Sequence, residues 1–184
     1  MALDYQESNP IVLGSGELYL GVVTNPETAE EATIEAALKN IGAIESGATL
    51  EYKPTIQEIE SANRGTVMRF VSKEEVNFDC GILTWKVDNL ASLAPATVTT
   101  DATTGTKTVR IGSKGVLPVN YLRFIHTKKD GSGTITVNIL KAQNTNGFSF
   151  SFDKEKPLSI GYKFSALATT DGTLVEIIET FTEI

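Results

Sequence analysis

Few residues in this chain have the type and spacing that catalysis needs. His126 is its only histidine and Cys80 its only cysteine, and they stand far apart in sequence. Zinc takes several nitrogen or sulfur ligands, so this pair does not make a zinc site. Ser-His-Asp chemistry needs an activated serine beside the histidine, and no Gly-x-Ser-x-Gly elbow occurs. His126 therefore reads as an ordinary residue near the end of a strand. Cys80 ends the alternation Val76-Phe78-Cys80, which points its thiol into a core, where it is inert. Gly14-Ser15-Gly16 has neither the third glycine nor the following helix of a dinucleotide loop, and no Walker lysine pattern exists.

Glu27, Glu30, Glu31, Glu35, Glu45, Glu51, Glu58, Glu60, Glu74 and Glu75 are numerous, but nothing selects two of them as an acid–base pair across a cleft. A solvated surface accounts for them. Nor is there an EF-hand-like ladder of aspartates. Trp85 with Tyr52 offers a sugar-stacking platform on paper, though a lone tryptophan beside leucines is more simply core. The expectation is no catalytic residue, no metal and no cofactor.

The elements that would position these residues are mostly strands. Asp130-Gly131, Asn146-Gly147 and Asp171-Gly172 tolerate the positive φ of tight turns, and each separates runs with apolar residues at every second position. Tyr121 to His126 is expected to pair with Thr134 to Leu140 across the Lys128–Gly133 turn. Phe148, Phe150 and Phe152 alternate with polar residues, as do Ile160, Tyr162, Phe164 and Ala166, and Leu174 to Glu179 closes the sheet. Upstream, Ile11 to Leu13, Leu18 to Thr24, Ala48 to Tyr52, Thr66 to Ser72 and Glu75 to Cys80 read as strands, with Pro54 as a stop. Residues 97–108 hold seven threonines around Gly105 and read as a polar hairpin, or as a solvated loop at its tip. Thr28 to Asn40 reads as helix on propensity, with extension of Ile34 to Ile44 as a strand the alternative. Trp85 to Leu93 reads as a short helix with one apolar side, stopped by Pro95.

The fold class is therefore mainly β, an antiparallel sandwich or barrel with at most one or two helices. A chain of 184 residues suits one domain. Net charge is −7, which disfavours a phosphate-binding groove or a polybasic membrane surface. The polar, acidic first ten residues do not resemble a signal peptide, no run is long enough to span a bilayer, and synthesis in the cytoplasm is expected.

Several stretches, in order, resemble the tail tube (major tail) proteins of long-tailed bacteriophages. They are Asn40-Ile41-Gly42 leading into Gly47-Ala48-Thr49-Leu50-Glu51-Tyr52-Lys53-Pro54, then Lys73-Glu74-Glu75-Val76-Asn77-Phe78. Gly81-Ile82-Leu83-Thr84-Trp85, Asn89-Leu90 and Lys156-Pro157-Leu158-Ser159-Ile160-Gly161-Tyr162 come after them. The resemblance implies a single tail-tube domain over residues 1–184, with 1–16 as a flexible or interface arm. It implies a non-enzymatic virion protein, assembled in the host cytoplasm, whose six copies close into a ring. Rings stack into a tube through which DNA passes during ejection. Further implied partners are the tape measure, terminator and baseplate or tip proteins, with no membrane. An acidic surface fits a lumen that must not hold DNA phosphates.

The resemblance implies a β-sandwich with one short flanking α-helix; because it also implies an arm or loop in the helical-reading segment 28–39, that helix is placed at about residues 84–93. Exposed polarity with extended character singles out Ile11 to Leu20, Asn25 to Ala32 and Glu45 to Ala62 as partner surfaces. Ile11, Leu18, Leu20, Glu45, Leu50 and Tyr52 are the candidate interface residues. The rival reading is a carbohydrate-binding β-sandwich, which needs exposed aromatics in a row.

Overall fold

A computed structural model describes residues 16–112, 115–129, 131, 133–150, 152–155 and 157–181. Ten strands and two short helices succeed one another in chain order. They are β1 (Glu17–Gly21), α1 (Glu31–Ala37), β2 (Lys39–Gly42), β3 (Ile44–Ser61), β4 (Gly65–Ile82), α2 (Leu90–Leu93), β5 (Ala96–Asp101), β6 (Thr106–Ile111), β7 (Asn120–Thr127), β8 (Gly133–Asn144), β9 (Ile160–Ala166) and β10 (Glu176–Phe181). A 3₁₀ turn, Val87–Asn89, leads into α2.

Eight strands form one antiparallel sheet in the order β2-β1-β7-β8-β9-β4-β3, with β10 also on β8, and β5-β6 stand apart as a two-stranded ribbon. The sheet does not close into a barrel. It folds over at β8, whose first half pairs with β10 (Asn138↔Glu176 to Gly133↔Phe181) and whose end pairs with β9 (Ala142↔Ala166 to Asn144↔Phe164). A strand that changes partners along its length makes the corner of a sandwich. Leu18, Leu20, Leu122 and Ile139 on one side of that corner then meet Val76, Phe78, Ile82, Tyr162 and Phe164 on the other, all fully or almost fully buried. The period-two patterns dictate which residues these are, because alternate side chains on a strand share a face.

Helix α2 closes one end of this core with Leu90 and Leu93. Four residues cannot satisfy their own carbonyls, and asparagine side chains do it instead. Asn120 Nδ2 donates to the Ser92 carbonyl (2.9 Å) and Asn144 Nδ2 to that of Leu93 (3.0 Å), while Asn89 Nδ2 donates to Ile41 (3.1 Å).

The polar hairpin of threonines (β5-β6), the β7-β8 hairpin and strand β9 form where the patterns place them. Other elements differ, and each difference has a tertiary cause. Pro54 does not stop β3. It lies in an edge strand, opposite Glu74, where a missing N–H disturbs no ladder on the open side. The two short strands expected between Thr66 and Cys80 are one 18-residue strand. Segment 28–40 divides: α1 forms over its middle and buries Ile34, then the chain extends so that β2 pairs with β1 and Ile41 enters the core. Two helices, not one, therefore flank the sheet, and Trp85 precedes the second rather than lying in it.

Phe148, Phe150 and Phe152 are in no strand. Only Phe148 packs against the core, because β9 has already taken the place beside β8. Asn146-Gly147 accordingly lies in the long β8–β9 connection rather than in a tight hairpin, and Asp171-Gly172 lies between β9 and β10, which do not pair with each other, although Gly147 (φ 66°) and Gly172 (φ 88°) hold the turn conformation expected of them.

Candidate interaction surfaces

Beyond the body of the sandwich the β3-β4 ribbon continues alone. Strand β9 covers β4 only from Asn77 to Ile82, whereas β3 and β4 stay paired to Ser61↔Gly65. Residues 53–75 are exposed with one exception, Ser61. The register assigns their faces. One carries Ile56 and Val71, then Glu58, which accepts from Arg69 Nε (2.7 Å) and Thr66 Oγ1 (3.1 Å). The other carries Ile59 beside Met68 and Gln57 beside Phe70. Ile59, Met68 and Phe70 are 47%, 57% and 41% exposed. A two-stranded ribbon with no packed face is marginal in water, and a row of exposed apolar side chains on one is the mark of an interaction surface. The outer edge of β3, along its whole length, also has no strand beside it among the described residues, nor does the outer edge of β10. Open edges of this kind are templates for another strand.

A second surface is polar and already internally satisfied. Tyr121, Arg123, Thr136 and Asn138 share the sheet face turned away from the core, and they line a cleft of about 400 Å³ with Glu27, Glu31 and Glu176. Arg123 is buried. Its Nε donates to Asn138 Oδ1 (2.9 Å), and its two terminal nitrogens donate to the Glu31 carboxylate (2.5 and 3.1 Å). The guanidinium holds the Glu31 carboxyl below the usual range, mainly through those hydrogen bonds. Burial pushes the Tyr121 hydroxyl up. Next to it, Lys141 donates to Glu27, whose other oxygen accepts the Thr170 N–H (3.1 Å). These bonds bring the Glu27 pKa down to about 2. The cleft is thus a clamp: two carboxylates from the β1–α1 loop and α1 tie segment 22–37 across the sheet, each neutralised by a cation of β7 or β8. Charges so paired are poor general bases at neutral pH.

The residues singled out from sequence are scattered. Leu18 and Leu20 lie in the core, facing Phe124 and Leu122 across the β1–β7 ladder, so their side chains are not available to a second chain. Leu50 is partly buried against the core. Tyr52 is exposed at the root of the long ribbon, with its hydroxyl donating to Glu74 (2.7 Å), and Glu45 is exposed and accepts from Ser159 (2.5 Å). Ile11 lies outside the described residues, as do Asp130 of the first turn, Lys156 and residues 1–15 of the expected arm. His126 is buried in β7. Cys80 is buried too, and desolvation, helped by Asp79, pushes its thiol up to about 12. Among the described residues no group of three or more His, Cys, Asp or Glu is placed to hold a metal ion, and no helix is long and apolar enough to cross a membrane.

The apolar residues of the second ribbon strand, Val67, Met68, Phe70 and Val71, were not among the candidates read from sequence. Their signal was a run apolar on both faces, without the alternation of a half-buried strand.

No family model matches this chain, and no curated protein matches it. The solved structures similar to it include two at 9% identity. One is the virion of a native gene transfer agent particle, covering 90% of this chain and 95% of that one with a TM-score of 0.40. The other is the tail of an empty gene transfer agent particle with C6 symmetry, covering 90% and 96% with a TM-score of 0.42. A likeness this distant assigns no function, which has to come from the surfaces of the chain itself.

Proposed function

We propose that this chain is a structural protomer of a phage or phage-like tail tube and works by self-assembly rather than catalysis. The long β3-β4 ribbon is the observation that carries the proposal: it has apolar side chains on both faces and an open outer edge along β3, and nothing among the described residues covers either. Association with further copies would bury those side chains and complete the edge by strand addition. Tyr52 and Glu45, at and near the root of the ribbon, belong to the same proposed interface. In keeping with the sequence resemblance, six copies form a ring and rings stack into a channel for DNA in the virion tail. Tape measure, terminator and baseplate or tip proteins complete the particle. A net charge of −7 would keep DNA phosphates from adhering to the lumen.

A second reading, a carbohydrate-binding sandwich, draws on one observation: Trp85, Phe150 and Phe152 are exposed next to one another.

Light scattering and electron microscopy of the purified chain at increasing concentration test the proposal. Rings or tubes, alone or with tail partners, are expected. A strictly monomeric species at every concentration, in both settings, refutes it.

A further inference from the structure

We propose that the aromatic row Trp85, Phe148, Phe150 and Phe152 is the seat for the Ile59–Met68–Phe70 face of the ribbon of a second copy. The inference rests on the self-assembly reading and assigns the surface that receives the ribbon.

The row is built ring on ring. Phe148 lies parallel to Phe150 at 6.0 Å (4° between planes), while Trp85 and Phe152 stand edge-on to Phe150 at 5.3 Å (73°) and 5.7 Å (79°). Phe148 roots the row in the core, and exposure is 46% at Trp85 and 82% at Phe152. Among the described residues Phe148, Phe150 and Phe152 belong to no strand, so ring contacts hold them where hydrogen-bond ladders do not.

Position decides the occupant. Trp85 comes just after Ile82, the residue paired with Ile44 at the body end of the ribbon, whereas Ser61↔Gly65 closes the free end. The two apolar surfaces thus stand towards opposite ends of one ladder, whose 18-residue strands have a contour of roughly 60 Å. Continuous pairing keeps a copy's own tip off its own row. Unlike surfaces at opposite ends generate a head-to-tail contact, which propagates from copy to copy.

The areas match. Scaling by exposure gives roughly 400 Å² of apolar side chain on the row and roughly 300 Å² on the ribbon face, and together they supply the apolar share of an interface near the lower end of the standard range of about 1,200–2,000 Å². The Met68 thioether is well suited to ring edges. A sugar ring, in contrast, stacks on a flat aromatic face. Here crossed ring planes break the row into notches that fit side chains better.

Cross-linking tests the assignment. Copies carrying Met68→Cys are mixed with copies carrying Phe152→Cys and mildly oxidised. Both positions are exposed, and Cys80 is buried with its thiol pushed up to about 12, so it does not compete. A disulfide joining the two kinds of copy, mapped by mass spectrometry, is expected. Phe152→Glu is expected to weaken assembly about tenfold or more, and Phe152→Leu to retain it. Normal assembly without the mixed disulfide overturns this inference and leaves the self-assembly reading standing. Assembly lost in Phe152→Glu without the disulfide in the cysteine pair likewise excludes the ribbon as occupant. Binding of a soluble polysaccharide that Phe152→Glu abolishes, with assembly untouched, transfers the row to the carbohydrate reading. Absence of wild-type assembly overturns both.

Discussion

Replacing Ile59 and Phe70 together by serine is the most direct perturbation of the proposed interface. They sit on one face of the ribbon, beside Met68 and Gln57. With 47% and 41% of their surface exposed in a single copy, each has roughly 90 Å² of apolar area left for a neighbour to cover. At about 25 cal/mol per Å² that is ~2 kcal/mol each, or ~4 kcal/mol for the pair. Part of this is offset by immobilising side chains on association, so a net loss of ~3 kcal/mol is the working value. It corresponds to roughly a hundredfold weaker self-association. The fold itself changes little, because both side chains lie outside the core and exposed substitutions usually shift stability within about 0.5 kcal/mol. Sedimentation velocity across a concentration series measures the first effect and thermal unfolding of the dilute protein the second. The reasoning fails if the double variant assembles like the wild type. It also fails if assembly is lost together with a large drop in Tm, for then the residues act within the copy.

Three further outcomes are expected from the core and the clamp. Glu31→Gln leaves the buried Arg123 guanidinium without its counter-charge and is expected to destabilise by about 1–2 kcal/mol in urea unfolding, the lower part of the buried-pair range because the Glu31 side chain is itself more than half exposed; an unchanged midpoint would show the pair to be idle. Glu27 and Glu31 both have depressed carboxyl pKa values, so their stabilisation is complete above the ordinary carboxylate range and lost as pH falls, for Glu27 towards about 2. Wild type and Glu27→Gln should therefore differ in proteolysis of segment 22–37 at pH 7 and converge near pH 2, whereas a pH-independent difference would exclude the ionic clamp. Gly42→Ala puts a Cβ 2.4 Å from Thr84 Cβ at a φ of +130° and should cost about 2 kcal/mol or more in thermal unfolding, while Gly161→Ala meets open space and should be nearly neutral.

What could be read without coordinates was whatever depends on neighbours in sequence. Alternation in Tyr121 to His126, Thr134 to Leu140 and Ile160 to Ala166 identified strands and their inner faces, because a strand's side chains change sides at every residue. The alternation ending at Cys80 likewise placed that thiol inside. Scarcity of histidine and cysteine argued against metal and nucleophile chemistry, and the order of short motifs suggested a tail-tube protomer.

Which strand lies beside which is a property of the whole sheet, and there local patterns ran out. Phe148, Phe150 and Phe152 carry as clean an alternation as β9 but remain outside the ladder, because β8 has one side to offer at that end and β9 occupies it. Leu18 and Leu20 read as available to a partner, yet β1 lies between β2 and β7 with its inner face sealed by the core. Pro54 is tolerated only because β3 is an edge. The candidate interface emerged in the same way: the runs around Ile59 and Phe70 are apolar in any conformation, but only the end of β9 at Ala166 leaves the outer ribbon uncovered. Sequence determined which side chains avoid water, through local chemistry and period. Tertiary structure decided which of them succeed within one copy, because burial depends on how many strands compete for each edge.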